Sequence, residues 1–390
     1  MDKPELQARR GVQGTSLMRS PGRGCRGATL PAPHVRRPIS NDGIQSLNNC
    51  QEHCRGGSGT LRTISILTKK KLMPKKILQI DGGGLKGIIP ATVLAHFEEV
   101  LGKRCCEVFD LITGTSTGAI IGGVLATGVT DARTIRDMYV NQGPRLFTPR
   151  VPLIPLLGQL FSGSKYDRQP FLEVVTKFTG GAKMRDVKTE FMATTMNLCS
   201  GRTHYVYSTD PFEMDYAVSQ VISWSALSAA AYFGKINEPD FLWDDFLPDG
   251  TVVENVKGAV FQDGGQGVNN CTLGAATIMA IGQKWFDEDV IILSLGCGDY
   301  HQTLPYDAAS RKGIAGQVID YLSQARNEAA IVQYMGARYL SLRRTGNYTL
   351  IRINCRLSKE ADVLDGVKWA DMYRDLGEQI NDTVPFELFK

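Results

Sequence analysis

At 390 residues, 43% hydrophobic and 22% charged, the chain has the composition of a soluble globular protein long enough to bury a large core. No apolar run reaches the ~20 residues that span a bilayer. The N-terminus lacks a secretory layout, and nine scattered cysteines make no disulfide framework, so a reducing, cytoplasmic setting is expected. The formal charge of +4 is uneven: residues 1–72 carry 13 basic and 4 acidic side chains, net +9, and the remainder carries 31 and 36, net −5. A mildly acidic body gives no support for nucleic-acid binding.

From Met1 to Leu72 the sequence is rich in Arg, Gly, Ser and Pro and shows no sustained periodicity. Low hydrophobicity with high charge predicts no fold there. Three readings compete: a disordered basic arm, an organelle transit sequence, or a native start at Met73, with the first and third favoured. Cys50, His53 and Cys54 have the look of a metal cluster, but structural zinc needs four ligands, usually as two spaced pairs. Free cysteines are the simpler reading, and no metal or cofactor is expected. The organisation expected is residues 1–72 as a disordered or non-native segment and 73–390 as one domain.

Lys76–Ile80 reads as a short buried strand running into Asp81-Gly82-Gly83-Gly84-Leu85-Lys86-Gly87. A helix follows to Leu101: Pro90 suits its first turn, Ile89, Val93, Phe97 and Val100 recur at helical spacing, and Gly102 is a plausible stop. Gly82, Gly84 and Gly87 fit G-x-G-x-x-G, the dinucleotide pattern. That reading needs an acid closing the second strand, and the second strand ends instead in Ile112-Thr113-Gly114-Thr115-Ser116. The other use of such a loop is to present backbone N–H groups to an anion, including the oxyanion of an acyl-transfer intermediate.

Gly114-Thr115-Ser116-Thr117-Gly118 follows an apolar run and precedes Ala119–Ala126, which reads as strand, sharp turn, helix with a serine at the apex. This is the pattern of a nucleophile elbow, although G-x-S-x-G alone is weak. Gly118, Gly122 and Gly123 would let the helix sit close to a sheet. A helix over Ala132–Gln142 follows the candidate cap Asp131.

Residues 146–161 are strongly apolar yet contain three prolines, which excludes a regular helix or central strand. The bland reading is a loop folded over the core. The functional reading is an interfacial loop making transient membrane contact. Helices are expected at Phe171–Phe178 and Met214–Tyr232, and strands at Phe191–Met196 and Thr203–Tyr207. Val260-Phe261-Gln262-Asp263-Gly264-Gly265 reads as a strand ending in a carboxylate at a tight turn, outside whose carboxyl end an α/β sheet would bind its ligand. A helix (Leu273–Gly282) and the strand Val290–Leu295 come next. Helices near Ile314–Arg326 and Trp369–Ile380 surround a strand-rich stretch at Tyr339–Cys355.

With these motifs in order, the chain resembles the patatin-like acyl hydrolases, whose signatures are D-G-G-G-x-R-G, G-x-S-x-G and D-G-G or D-G-A. Further echoes are Ile88-Ile89-Pro90-Ala91, Ser164-Lys165-Tyr166-Asp167, Ser228–Phe233, Asn269-Asn270 and Ser294-Leu295-Gly296-Cys297-Gly298. The likeness covers residues 75–300 well and the last ninety more loosely. Lys86 departs from the usual arginine, keeping charge but losing bidentate geometry, and Ala231 and Cys271 replace prolines.

The resemblance implies one α/β domain, a mostly parallel sheet flanked by helices, and a lipid acyl hydrolase of phospholipase A type acting on lipid esters. It implies Ser116 as nucleophile and Asp263 as proton acceptor, with Gly82, Gly83 and Gly84 forming the oxyanion hole. Lys86, Gly87, Gly114, Gly118, Gly264 and Gly265 would support the motifs. A free aspartate, pKa about 3.9, is a poor base for a hydroxyl, and burial would raise its basicity. Two alternatives stay open: an α/β-hydrolase triad of Ser116, Asp263 and His301, and a catalytically inactive lipid-binding relative.

Overall fold

Short runs of β-branched and large aliphatic residues build five parallel strands: β1 (Lys75–Ile80), β2 (Leu111–Thr115), β3 (Glu190–Asn197), β7 (Val290–Leu295) and β8 (Tyr348–Ile353). In the computed structural model, which describes residues 73–146, 164–229, 232–247, 249–266, 269–282, 285, 289–300, 306–311, 313–343 and 348–390, they lie side by side in the order β3-β2-β1-β7-β8. Residues 1–72 with Cys50, His53 and Cys54, all of the 146–161 segment but Leu146, and His301 lie outside the described residues.

The central strands β1, β2 and β7 are buried on both faces almost throughout, so apolar residues occupy successive positions in them. Leu78 and Ile80 of β1, Ile112 of β2 and Leu293 of β7 pack into one core. Their neighbours Ile77, Leu111 and Ile292 pack into a second core on the other face, as the two-residue period of a strand requires. The first core is roofed by helices that include α1 (Ile88–Leu101), α3 (Thr117–Thr127) and, between β4 and β5, α6 (Val218–Ala226). The one-turn α2 (Cys105–Val108) leads into β2, α4 (Ala132–Leu146) follows α3, and α5 (Gln169–Thr179) precedes β3. On the opposite face lie α7 (Leu273–Gly282) and α9 (Ile314–Arg343), after the short α8 (Tyr306–Ser310). The C-terminal α10 (Ala370–Ile380) packs on α1. No helix among the described residues is long and apolar enough to cross a membrane, and their six cysteines are free thiols.

Three antiparallel strands extend the sheet: β4 (Arg202–Tyr207), β5 (Ile236–Phe246) and β6 (Val252–Asp263). Their register brings the site together. Met192–Thr194 of β3 pair with both β2 and β4, and Thr195–Asn197 pair with both β4 and β6. β4 therefore occupies one edge of β3, while β2 and β6 share the other edge end to end. Thr115 stands opposite Thr194 and Asp263 opposite the next residue, Thr195. The strand carrying Asp263 thus runs antiparallel to its neighbour, where the motif pattern suggested a carboxyl end of the parallel sheet.

Two expected elements differ most from the structure. Met214–Tyr232 contracts to Val218–Ala226, because Asp210–Tyr216 folds as successive turns closed by Glu213 N→Asp210 O and Tyr216 N→Glu213 O bonds of 3.0 and 3.1 Å. The stretch from Tyr339 read as strand is helical to Arg343, and only Tyr348–Ile353 is strand. Tyr339 and Leu342 are exposed while Ala337 is buried against the sheet, so the apolar residues there follow two faces of one helix.

Candidate active site

The serine turn is strained. Ser116 has φ 54° and ψ −121°, a region that side chains rarely occupy. The conformation is held on all sides. The Ser116 N–H donates to the Ser225 hydroxyl at 3.0 Å, and its carbonyl accepts from Ala119 and Ile120 to begin α3. Glycine on both sides is a matter of space: a Cβ on Gly114 would overlap Gly118, and one on Gly118 would overlap the Ile80 carbonyl. Gly122 and Gly123 bring the same helix against Ile112, Phe191 and Ile222.

Asp263 closes β6 and is buried. Its Oδ1 accepts the Gly265 N–H at 2.7 Å, which fixes the carboxylate over its own turn. Gly264 lies so close to β3 that a Cβ would meet the Thr194 oxygen.

Gly82, Gly83 and Gly84 leave the end of β1 beside these turns. Gly84 takes φ +59°, and a Cβ on Gly82 would come 3.1 Å from the Ser116 Cβ, so loop and elbow touch. Among the described residues, the Gly83 and Gly84 N–H groups donate to no backbone acceptor. The loop is tied to the aspartate turn by Asn270, whose Nδ2 donates to the Gly82 carbonyl at 3.0 Å while its carbonyl accepts the Gly82 N–H at 3.1 Å. One residue earlier, the Asn269 carbonyl accepts the Thr115 hydroxyl at 2.7 Å. The Asn269-Asn270 pair thus joins all three motifs.

Gly84, Ser116 and Asp263 meet in one cleft of about 440 Å³, its open mouth included. The remaining wall is largely apolar, with Ile120, Phe171, Leu227 and Phe233, and Tyr139, its buried hydroxyl bonded to Thr117. Burial raises the Tyr139 phenol well above its usual pKa despite that bond. Gly87 leaves room for the same Thr117 hydroxyl.

Beneath the glycine loop lies a polar network that sequence reasoning missed. Arg352 of β8 grips Asp81 with both nitrogens, at 3.1 and 2.5 Å, and donates to the Ser294 hydroxyl at 2.8 Å. Gln79 donates to Asp81 at 2.9 Å and accepts from Ser294. Burial works against the Arg352 charge, but Asp81 outweighs it and holds the guanidinium pKa above its usual value. The one available signal was an arginine inside an apolar strand. Lys86 is also buried, and its ammonium bonds to Asp362 and, at 3.4 Å, to the Gly298 carbonyl.

His204 of β4 is engaged with a carboxylate of its own. Its Nε2 lies 2.6 Å from Glu213, and its ring packs on Phe241 and Phe261. Burial raises the Glu213 carboxyl pKa against the opposing pull of His204 and the Tyr207 N–H.

The topology and the three converging turns define a three-layer α/β protein with a serine elbow. A sequence profile of the family described as patatin-like phospholipase matches residues 78–275. The chain is 31% identical over 184 residues to the cGAMP-activated phospholipase of Pseudomonas aeruginosa, covering 47% of this chain and 54% of that one. It is 30% identical over 174 residues to Patatin-17 of Solanum cardiophyllum, covering 40% and 42%. Against Patatin-like protein 2 of Arabidopsis thaliana it is 25% identical over 341 residues, covering 78% and 82%. Among solved structures it is similar to VipD from Legionella pneumophila, with TM-score 0.31, 12% identity and coverage of 80% and 67%. The chain belongs to the patatin-like phospholipase family. It spans about half the length of the first two relatives.

Proposed function

We propose that the protein is a lipid acyl hydrolase that cleaves fatty-acyl esters through an acyl-enzyme on Ser116. The observation that carries the reading is the end-to-end meeting of β2 and β6 on one edge of β3, which opens Ser116 and Asp263 into the same apolar cleft. Phospholipid, lysolipid, galactolipid and neutral acylglycerol all offer the required ester, and the apolar wall suits an acyl chain.

In this scheme the Ser116 Oγ attacks the ester carbonyl carbon and its proton passes to the Asp263 carboxylate. The carbonyl π electrons move to oxygen, and the oxyanion is received by the Gly83 and Gly84 N–H groups. Collapse breaks the acyl–oxygen bond, and Asp263 returns the proton to the departing alcohol. Water then attacks the acyl-enzyme with Asp263 again taking a proton, and the fatty acid leaves as Ser116 is reprotonated. Preorganised N–H donors of this kind are typically worth about 10²–10³ in rate each.

Hydrolysis of a mixed lipid extract, read by mass spectrometry of released fatty acids, tests the scheme. Ser116→Ala and Asp263→Asn should each abolish release, and His301→Ala should leave turnover near normal. Loss of turnover in His301→Ala would replace the dyad with a triad.

A further inference from the structure

Between β8 and α10, residues 358–366 form a turn to which no motif assigned a role. Its contacts converge on the glycine loop. The Leu364 carbonyl accepts the Leu85 N–H at 2.7 Å, and a Cβ on Gly84 would overlap that same carbonyl, so the segment lies flush on bare backbone. Asp362 accepts from the Lys86 ammonium, and Leu364 lines the cleft with Ser116 and Asp263.

The segment is pinned from the other side. Asp365 Oδ2 accepts from the Lys165 ammonium at 2.5 Å and from the Tyr166 hydroxyl at 2.6 Å. The Tyr166 ring stacks on Tyr232, which lines the cleft, at 5.8 Å between centroids. At its start, the Ala361 carbonyl accepts the Tyr373 hydroxyl at 2.5 Å. A loop of bare glycines has no side chains to fix its own peptide planes. An external carbonyl held between two lysine–aspartate pairs supplies that fixation.

We propose that residues 360–366 are a positioning strap for the glycine loop, with Asp365 as the residue that sets the Leu364 carbonyl against Leu85. The kinetic consequence rests on the acyl-hydrolase reading; the structural consequence does not. Asp365 acts through the strap and so is a positioning residue.

The test compares Asp365→Ala, Asp365→Asn and Tyr166→Phe with wild type by amide hydrogen exchange and by turnover of p-nitrophenyl esters of increasing chain length. In Asp365→Ala the Leu85 amide should exchange at least about tenfold faster, with β1 amides 76–80 unchanged. For a short ester kcat should fall about tenfold or more with KM within about twofold, since sub-ångström misplacement of donors acts on the transition state. Tyr166→Phe should move both readouts the same way by less, and it carries the test with Asp365→Asn if the alanine variant does not fold. An unchanged Leu85 amide, or faster exchange spread equally over β1, would overturn the proposal. If wild type turns over no ester, the hydrolase reading fails while the exchange result still decides the strap.

Discussion

Gly118 sits in the first turn of α3, where the helix passes the end of β1. An alanine Cβ there would lie 2.8 Å from the Ile80 carbonyl carbon and 2.8 Å from the Asp81 oxygen, and closer still to the Ile80 oxygen. Carbon contacts relax near 3.5–4.0 Å, so α3 and β1 must separate by roughly 1 Å. The obstacle is backbone, so no rotamer change relieves it. Overpacking of this kind costs about 1–3 kcal/mol and here belongs at the top of that range. The better helix propensity of alanine returns about 1 kcal/mol, leaving a net loss of about 2 kcal/mol. The shift also parts the serine turn from the Gly82–Gly84 loop, and a 1 Å misplacement can cost on the order of 10² in rate. Gly336 is the control: it is helical, exposed and meets nothing within 4 Å, so Gly336→Ala should stabilise by about 0.5–1 kcal/mol. Denaturant unfolding and ester turnover of both variants read the contrast. A Gly118→Ala protein as stable and as active as wild type would mean that α3 and β1 do not meet at this close contact.

Other expectations follow from the polar contacts. Arg352→Met strands the buried Asp81 carboxylate and should destabilise by about 3 kcal/mol, and adding Asp81→Asn should recover part of the loss in a double-mutant cycle. Burial raises the Asp365 carboxyl, but the Lys165 and Tyr166 bonds outweigh it and hold the pKa below the usual value. A depressed carboxyl contributes stability that is present above its unfolded pKa of about 3.9 and is lost as pH falls through the folded one. The difference in Tm between wild type and Asp365→Asn should therefore be full at neutral pH and close as pH drops below about 4.

The turns that build the site were legible because their chemistry is local. Gly114-x-Ser116-x-Gly118 and Asp81–Gly87 each announce a strand, a tight turn and a helix within a dozen residues, and the cores on both faces of the sheet explain why apolar residues stand side by side in β1, β2 and β7. What stayed hidden depends on pairing across long stretches of chain. Nothing near Asp263 signals that β6 runs antiparallel to β3 and abuts the end of β2, since register is set between residues nearly seventy apart. Arg352 stands out only as a charge in an apolar strand, and its partner Asp81 is set by β8 pairing with β7. The strap from 360 to 366 has no periodicity, and its meaning comes from lysines 276 and 200 positions away. Tyr339 and Leu342 misled because exposed apolar residues on a helix mimic a strand.

The central claim is that Ser116 becomes covalently acylated with Asp263 as its base. Peptide mapping after treatment with a fluorophosphonate probe tests it most directly. One adduct is expected, on the peptide containing Ser116, absent in Ser116→Ala and slowed by on the order of 10³-fold or more in Asp263→Asn. An adduct on another residue, or labelling of Asp263→Asn at the wild-type rate, would contradict it.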